Sequence, residues 1–182
     1  MRSLVFFSPS QYLDLHDSLA MPNSLALPTK SPRPLRFNEA DSAGAHEAWG
    51  ANCGPHSIAA ACSLTLEEVR AALPNFKGWM SPTMVSETLR NLTRGYALQK
   101  GIKTAELCNG INRVQWEGKW LNPGVPPRVA YFHTHYVAHF DGLVLCTCCQ
   151  NTEWVEVDGW RDYLLNVNPK LPFHITHHWK LG

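Results

Sequence analysis

Long apolar runs are what this sequence lacks most plainly. No stretch of the 182-residue chain approaches the roughly 18 uncharged apolar residues needed to cross a bilayer, so no membrane partner is expected. A charge excess is missing as well. Sixteen Lys and Arg stand against fifteen Asp and Glu, a formal net charge of +1. Nucleic-acid surfaces generally show a basic excess or patch, and the cations here are scattered, so no nucleic-acid partner is expected either. The segment after Arg2 lacks the core of a secretory leader: the apolar run Leu4 to Phe7 meets Asp14 and Asp17 too soon. With 45% hydrophobic and 17% charged residues the chain is too apolar for disorder. Its length fits one domain burying roughly 70% of its unfolded surface.

Cysteine, by contrast, is plentiful: Cys53, Cys62, Cys108, Cys146, Cys148 and Cys149. Six cysteines in a short secreted chain would suggest a disulfide framework. This chain is longer, and the bunched Cys146, Cys148 and Cys149 cannot easily pair among themselves. The expectation is a cytoplasmic, reducing compartment with thiols free, catalytic or metal-bound.

Two regions follow from texture. Residues 1–44 carry Pro22, Pro28, Pro32 and Pro34 with no sustained period, which reads as an extended arm. Residues 45–182 read as one α+β domain. The run Asn52 to Leu64 is apolar on all sides, hence a buried helix, with Asn52 as N-cap and Pro55 in the first turn. Thr65 and Glu68 have capping-box spacing for a second helix that Pro74 ends. Ser81 and Pro82 open a third, with Met84, Val85, Thr88, Leu89 and Leu92 as its stripe. Strands are expected over Ile111–Trp116, Arg128–Asp141 (one bent or two), Leu143–Cys149, Trp154–Val157 and Phe173–Trp179. A short helix is expected at Asp158–Leu165. Helices first and an antiparallel sheet afterwards is the α+β pattern.

The segment Trp49-Gly50-Ala51-Asn52-Cys53-Gly54-Pro55-His56-Ser57 sets a thiol at the start of the buried helix. Unpaired N–H groups and the helix dipole there favour an anion. They would lower the Cys53 pKa, and the Cys53 N–H could donate to an oxyanion. Gly54 would leave space beside the sulfur for a substrate carbonyl. A thiolate nucleophile needs a histidine nearby in space. In Phe132-His133-Thr134-His135-Tyr136-Val137-Ala138-His139-Phe140, strand alternation puts His133, His135 and His139 on one face.

Asn-Cys-Gly-Pro at a buried helix start, followed later by His135-Tyr136-Val137-Ala138 on a strand, resembles the papain-like cysteine peptidase superfamily. It is closest in style to small microbial or phage-type members such as the peptidase domains of bacteriocin transporters. The resemblance implies a papain-like α+β fold, a helical half packed on an antiparallel sheet. It implies a cysteine peptidase or amide hydrolase with no cofactor, acting on a peptide or protein. Cys53 would be the nucleophile and His135 its base, with His133 and His139 as alternatives. Asn52 and Cys53 would form the oxyanion site, and Trp49 and Trp120 would wall the cleft. The family's oxyanion Gln position holds Glu47. If Asp141-Gly142 makes a two-residue turn, His135 faces Cys148, and Gln150 or Asn151 could orient it only after a register shift.

Two other readings use these residues. Glu47 and Cys148 at partner positions fit a catalytically degenerate papain-fold binding module. Cys146-Thr147-Cys148-Cys149 with His174 and His178, which share a face in a regular strand, would fit a zinc-binding structural protein. Trp116, Trp120, Trp154, Trp160 and Trp179 read as core and loop packing.

Overall fold

A computed structural model of the chain describes residues 33–50, 52–73, 76, 78–147, 152–167 and 172–182. Most of the expected arm, Pro74, and the run from Cys148 through Asn151, including Gln150, lie outside the described residues. Four helices come first: α1 (Glu39–Trp49), α2 (Cys53–Cys62), α3 (Leu66–Ala71) and α4 (Pro82–Asn91). Strands β1 (Tyr96–Thr104) and β2 (Gly110–Trp116), a single 3-10 turn (Lys119–Leu121) and helix α5 (Pro127–Tyr131) follow. Then come β3 (Thr134–Phe140), β4 (Leu143–Leu145), β5 (Val155–Glu156), α6 (Val157–Val167) and β6 (Phe173–Leu181). The architecture is α+β, as expected.

Local chemistry explains the helix starts. Thr65 and Glu68 make a reciprocal capping box at α3. Ser81 caps α4 through the Met84 N–H, with Pro82 at the first helical position. Val85, Thr88 and Leu89 are the buried face of α4. Helix α1 was not read from the sequence. It begins with its own box, Asn38 with Asp41, and runs through residue 45, where the domain was expected to begin. Ahead of it Phe37 is already in the core, and the Arg33 guanidinium lies 4.1 Å over the Phe140 ring.

All six strands pair antiparallel, in the order β1-β6-β2-β3-β4-β5. Asp141 and Gly142, at φ 49° and 88°, form the tight β3–β4 turn and set Phe140 opposite Leu143. A residue pair with positive φ at both positions is what a twisted two-residue hairpin requires. Two corrections concern β3. Arg128–Asp141 is not all strand: Pro127 at a first helical position opens α5, and only Thr134–Phe140 is extended. The expected strand to Cys149 stops at Leu145, where Cys146 drops its side chain into the core.

The two sheet faces carry separate cores. On one, α2 and α4 cover Ile111, Tyr136, Ala138 and Trp179. On the other, the α6 residues Trp160 and Leu164 meet Val114, Val137, Val144, Cys146 and Ile175. Ile175 and Trp179 lie on opposite faces although regular alternation would put them together. The cause is a bulge in β6: Val114 pairs with Ile175, but Arg113 pairs with His177, leaving Thr176 as the extra residue. His174 and His178, on either side of the bulge, therefore do not share a face, contrary to expectation.

His56 ties α1 to α2. Its Nδ1 donates to the Asn52 carbonyl at 3.0 Å, and its Nε2 accepts from the Ser42 hydroxyl at 2.9 Å. Burial, against a raising contribution from the Asn52 bond, pushes the imidazole down to about 4 from an ordinary 6.5. Between those values the unfolded chain binds more protons than the folded one. The stability tied to a neutral His56 is thus full above 6.5 and lost as pH falls toward 4, by roughly 3 kcal/mol. Urea midpoints are expected to drop over this window. His56→Gln should lower the midpoint at pH 7 while flattening its fall toward pH 4; an unchanged slope in that variant would count against the clamp.

Candidate active site

Cys53 is the first residue of α2, partly exposed at the helix N-terminus. Asn52 does not cap the helix as expected. Its side chain makes no cap bond and its amide instead points to the Ser42 carbonyl at 3.5 Å. The reason is local: Asn52 has ψ 13°, not the extended geometry of a capping residue, and its carbonyl is taken by His56. The first turn thus has no side-chain cap, and its dipole and amides are left to act on a charge at Cys53.

The sulfur finds its donors at the edge of β3. Ala138 is the last β3 residue paired with β4, opposite Leu145. In an antiparallel ladder the N–H two residues back points the same way, so Tyr136 aims its N–H at the place β4 has left. The Cys53 sulfur fills that place, hydrogen bonded to the Tyr136 N–H and to the His135 side chain. Burial acts to raise the thiol pKa and outweighs any other single influence. The His135 charge and hydrogen bond, with the Tyr136 N–H, together reverse it and hold Cys53 below its ordinary value.

His135 is buried, and its Nε2 lies 3.1 Å from the Cys146 sulfur. Cys146 comes beside it because β4 ends at Leu145 and the next residue is buried; Cys148, expected opposite His135, lies outside the described residues. Gln150 and Asn151 fall outside the described residues. His133 precedes β3 and stacks on Trp120, with ring centroids 3.5 Å apart. His139 lies beside the Cys108 backbone and is influenced by His178, Asp141 and Arg161. Of the three histidines, His135 is the one hydrogen bonded to Cys53. Glu47 is exposed on α1. Trp49 lies 5.6 Å beneath the Arg70 guanidinium, and the Trp120 indole donates to the Trp116 carbonyl at 2.8 Å.

Gly54 does not open space for a carbonyl. A Cβ there would collide with the Met80 side chain, so the glycine is needed for close packing. Met80 also accepts the Tyr136 hydroxyl on its carbonyl at 3.2 Å. Sequence reasoning missed both Met80 and the Tyr136 N–H. The hairpin signal was present, but the point where β4 leaves the sheet had no local marker.

The described residues among those considered for zinc are not brought together, and Cys148 and Cys149 lie outside the described residues. Cys146 faces His135, His174 bonds Glu117 at 3.0 Å, and His178 bonds Asn112. Among the described residues no three His, Cys, Asp or Glu side chains are grouped to hold a metal ion. No helix among them is long and apolar enough to cross a membrane. No family model, curated protein or solved structure matches the chain.

Burial pushes the Cys62 thiol up and Cys108 up to about 11, against the lowered Cys53. Iodoacetamide at pH 7 is therefore expected to label Cys53 first, read by mass spectrometry. His135→Ala should move the Cys53 rate profile upward by about one pH unit or more. Equal rates at Cys53 and Cys62 would contradict an activated thiolate.

Proposed function

We propose that this chain is a thiol-dependent hydrolase or acyl transferase acting on a peptide or amide, in the manner of papain-like cysteine peptidases. The observation that carries the reading is the hydrogen-bonded Cys53–His135 pair at the uncapped N-terminus of a helix packed on an antiparallel sheet. The thiolate attacks the substrate carbonyl carbon, and the carbonyl electrons move to oxygen. The N–H of Cys53 and the α2 dipole stabilise that oxyanion. Imidazolium His135 protonates the leaving amine as the C–N bond breaks, leaving an acyl-enzyme. Neutral His135 then takes a proton from water, which attacks the thioester and releases the acid and the thiol.

Backbone groups have to stabilise the oxyanion here. Asn52 is turned to Ser42, and Glu47 is exposed and, when ionised, only accepts hydrogen bonds. Cys146 beside His135 Nε2 is itself only a weak hydrogen-bonding partner for the ring. These two features favour a second reading, a module that keeps the cleft and binds peptide without cleaving it.

Release of acid-soluble fragments from labelled casein, together with turnover of a peptide-aminocoumarin library, separates the two. For the hydrolase, Cys53→Ala and His135→Ala should each remove turnover by roughly 10³-fold or more, while far-UV circular dichroism at the assay temperature shows each variant still folded. Absence of turnover in the parent chain, with peptide capture undiminished in Cys53→Ala, would establish the binding module instead.

A further inference from the structure

Arg113 has no part in the chemistry above, yet its position is unusual. It pairs directly with Tyr136 across β2 and β3, so the two side chains share a sheet face one strand from the Cys53 sulfur. Arg113 is 5% exposed. Its Nη1 donates to the Thr176 hydroxyl at 3.0 Å, and it hydrogen bonds the Tyr136 phenol. The Tyr131 ring lies 5.4 Å from its guanidinium carbon. The buried Nε has no hydrogen-bond partner. Among the described residues no carboxylate pairs with it.

A guanidinium carries five N–H donors and keeps its charge at every accessible pH. Burying that charge against hydroxyls and an aromatic face leaves most of its demand for an anion unmet. The bulge at Thr176 supplies a hydroxyl at the guanidinium but no charge. The cover is slight. Tyr131 is 49% exposed and sits on the five-residue helix α5. Phe132, next to Tyr131 in the chain, and Trp79 are exposed large apolar side chains, at 80% and 59%. Trp79 adjoins Met80, the residue packed on both Gly54 and Tyr136.

We propose that Arg113 is a specificity-determining subsite of the cleft that binds a carboxylate of the substrate peptide, with Tyr131 as its movable cover and Trp79 and Phe132 as apolar rims. The carboxylate is either an acidic side chain near the scissile bond or the peptide's own C-terminus. The proposal rests on the reading of Cys53 and His135 as the acting pair.

The test uses N-iodoacetyl peptides as probes of the full chain, with Cys53 labelling followed by mass spectrometry. One set ends in glycine, one to four residues long, as free acid or amide. A second set carries Glu or Gln before a C-terminal amide. At least one carboxylate probe should label Cys53 on the order of tenfold faster than its neutral match, the size of a charge-assisted hydrogen bond. A preference in the first set identifies a terminal carboxylate, and one in the second an acidic side chain. Arg113→Gln should abolish the preference while leaving the iodoacetamide rate at Cys53 unchanged, and Arg113→Lys should keep part of it. Rapid labelling by neutral probes with no carboxylate preference in the parent chain would overturn the subsite while leaving the acting pair intact. A preference that survives in Arg113→Gln would overturn it as well. Neutral probes that label Cys53 no faster than Cys62 would instead overturn the acting pair, and the subsite with it.

Discussion

The hydrogen bond from the Tyr136 N–H to the Cys53 sulfur links the two halves of the molecule. It exists because β4 is short. A longer β4 would take the Tyr136 N–H into the ladder and close the edge where the sulfur now sits. A strand N–H left without a ladder partner needs another acceptor, and a sulfur removed from water needs donors before it can carry charge. Each need meets the other at one point. His135 then supplies the charge that turns a thiol disfavoured by burial into one that ionises readily.

The surroundings fix that point from three directions. Met80 packs on Gly54 at the start of α2 and takes the Tyr136 hydroxyl on its carbonyl, so one residue touches the helix and the strand together. His56 holds the carbonyl of Asn52, the residue just before the nucleophile, and reaches α1 through Ser42. The Ser57 hydroxyl donates to the Cys53 carbonyl at 2.7 Å within the helix. A sulfur-to-imidazole hydrogen bond tolerates little misplacement, and chemistry falls steeply when such a pair is loosened. The rigidity here comes from neutral hydrogen bonds and close packing, with no carboxylate in that set.

Much of this was legible in the sequence where signals were local. The α3 and α4 caps, the buried α2 and the Asp141-Gly142 turn all rest on short spacings, whereas the Cys53–His135 pairing spans most of the domain and followed from the resemblance of two separate motifs. What was not legible depended on context. Helix α1 buries little beyond Ala45, so it has no apolar period, and its Asn38–Asp41 box was the one usable sign. Strand β1 holds Lys100, Gly101 and Lys103 at the sheet edge, where strand propensity is weak and charge guards against pairing with other chains. Counting from the Asp141-Gly142 turn assumes that the strand continues, so the early end of β4 at Leu145 and the approach of Cys146 to His135 had no local sign.

The β6 bulge shows how one inserted residue can serve both cores and the cleft. Without Thr176 as an extra position, Ile175 and Trp179 would fall on the same face, and one core would lose a fully buried side chain. With it, Ile175 fills the core beneath α6, while Trp179 fills the core under α2 and α4 and donates to Ser86 at 2.9 Å. The strand is locally over-twisted there, and the residue that interrupts it has a hydroxyl rather than an apolar group. That hydroxyl both donates to the Arg113 carbonyl, at 3.3 Å, and accepts from its guanidinium. The irregularity that satisfies the packing thus also fixes the orientation of a buried cation.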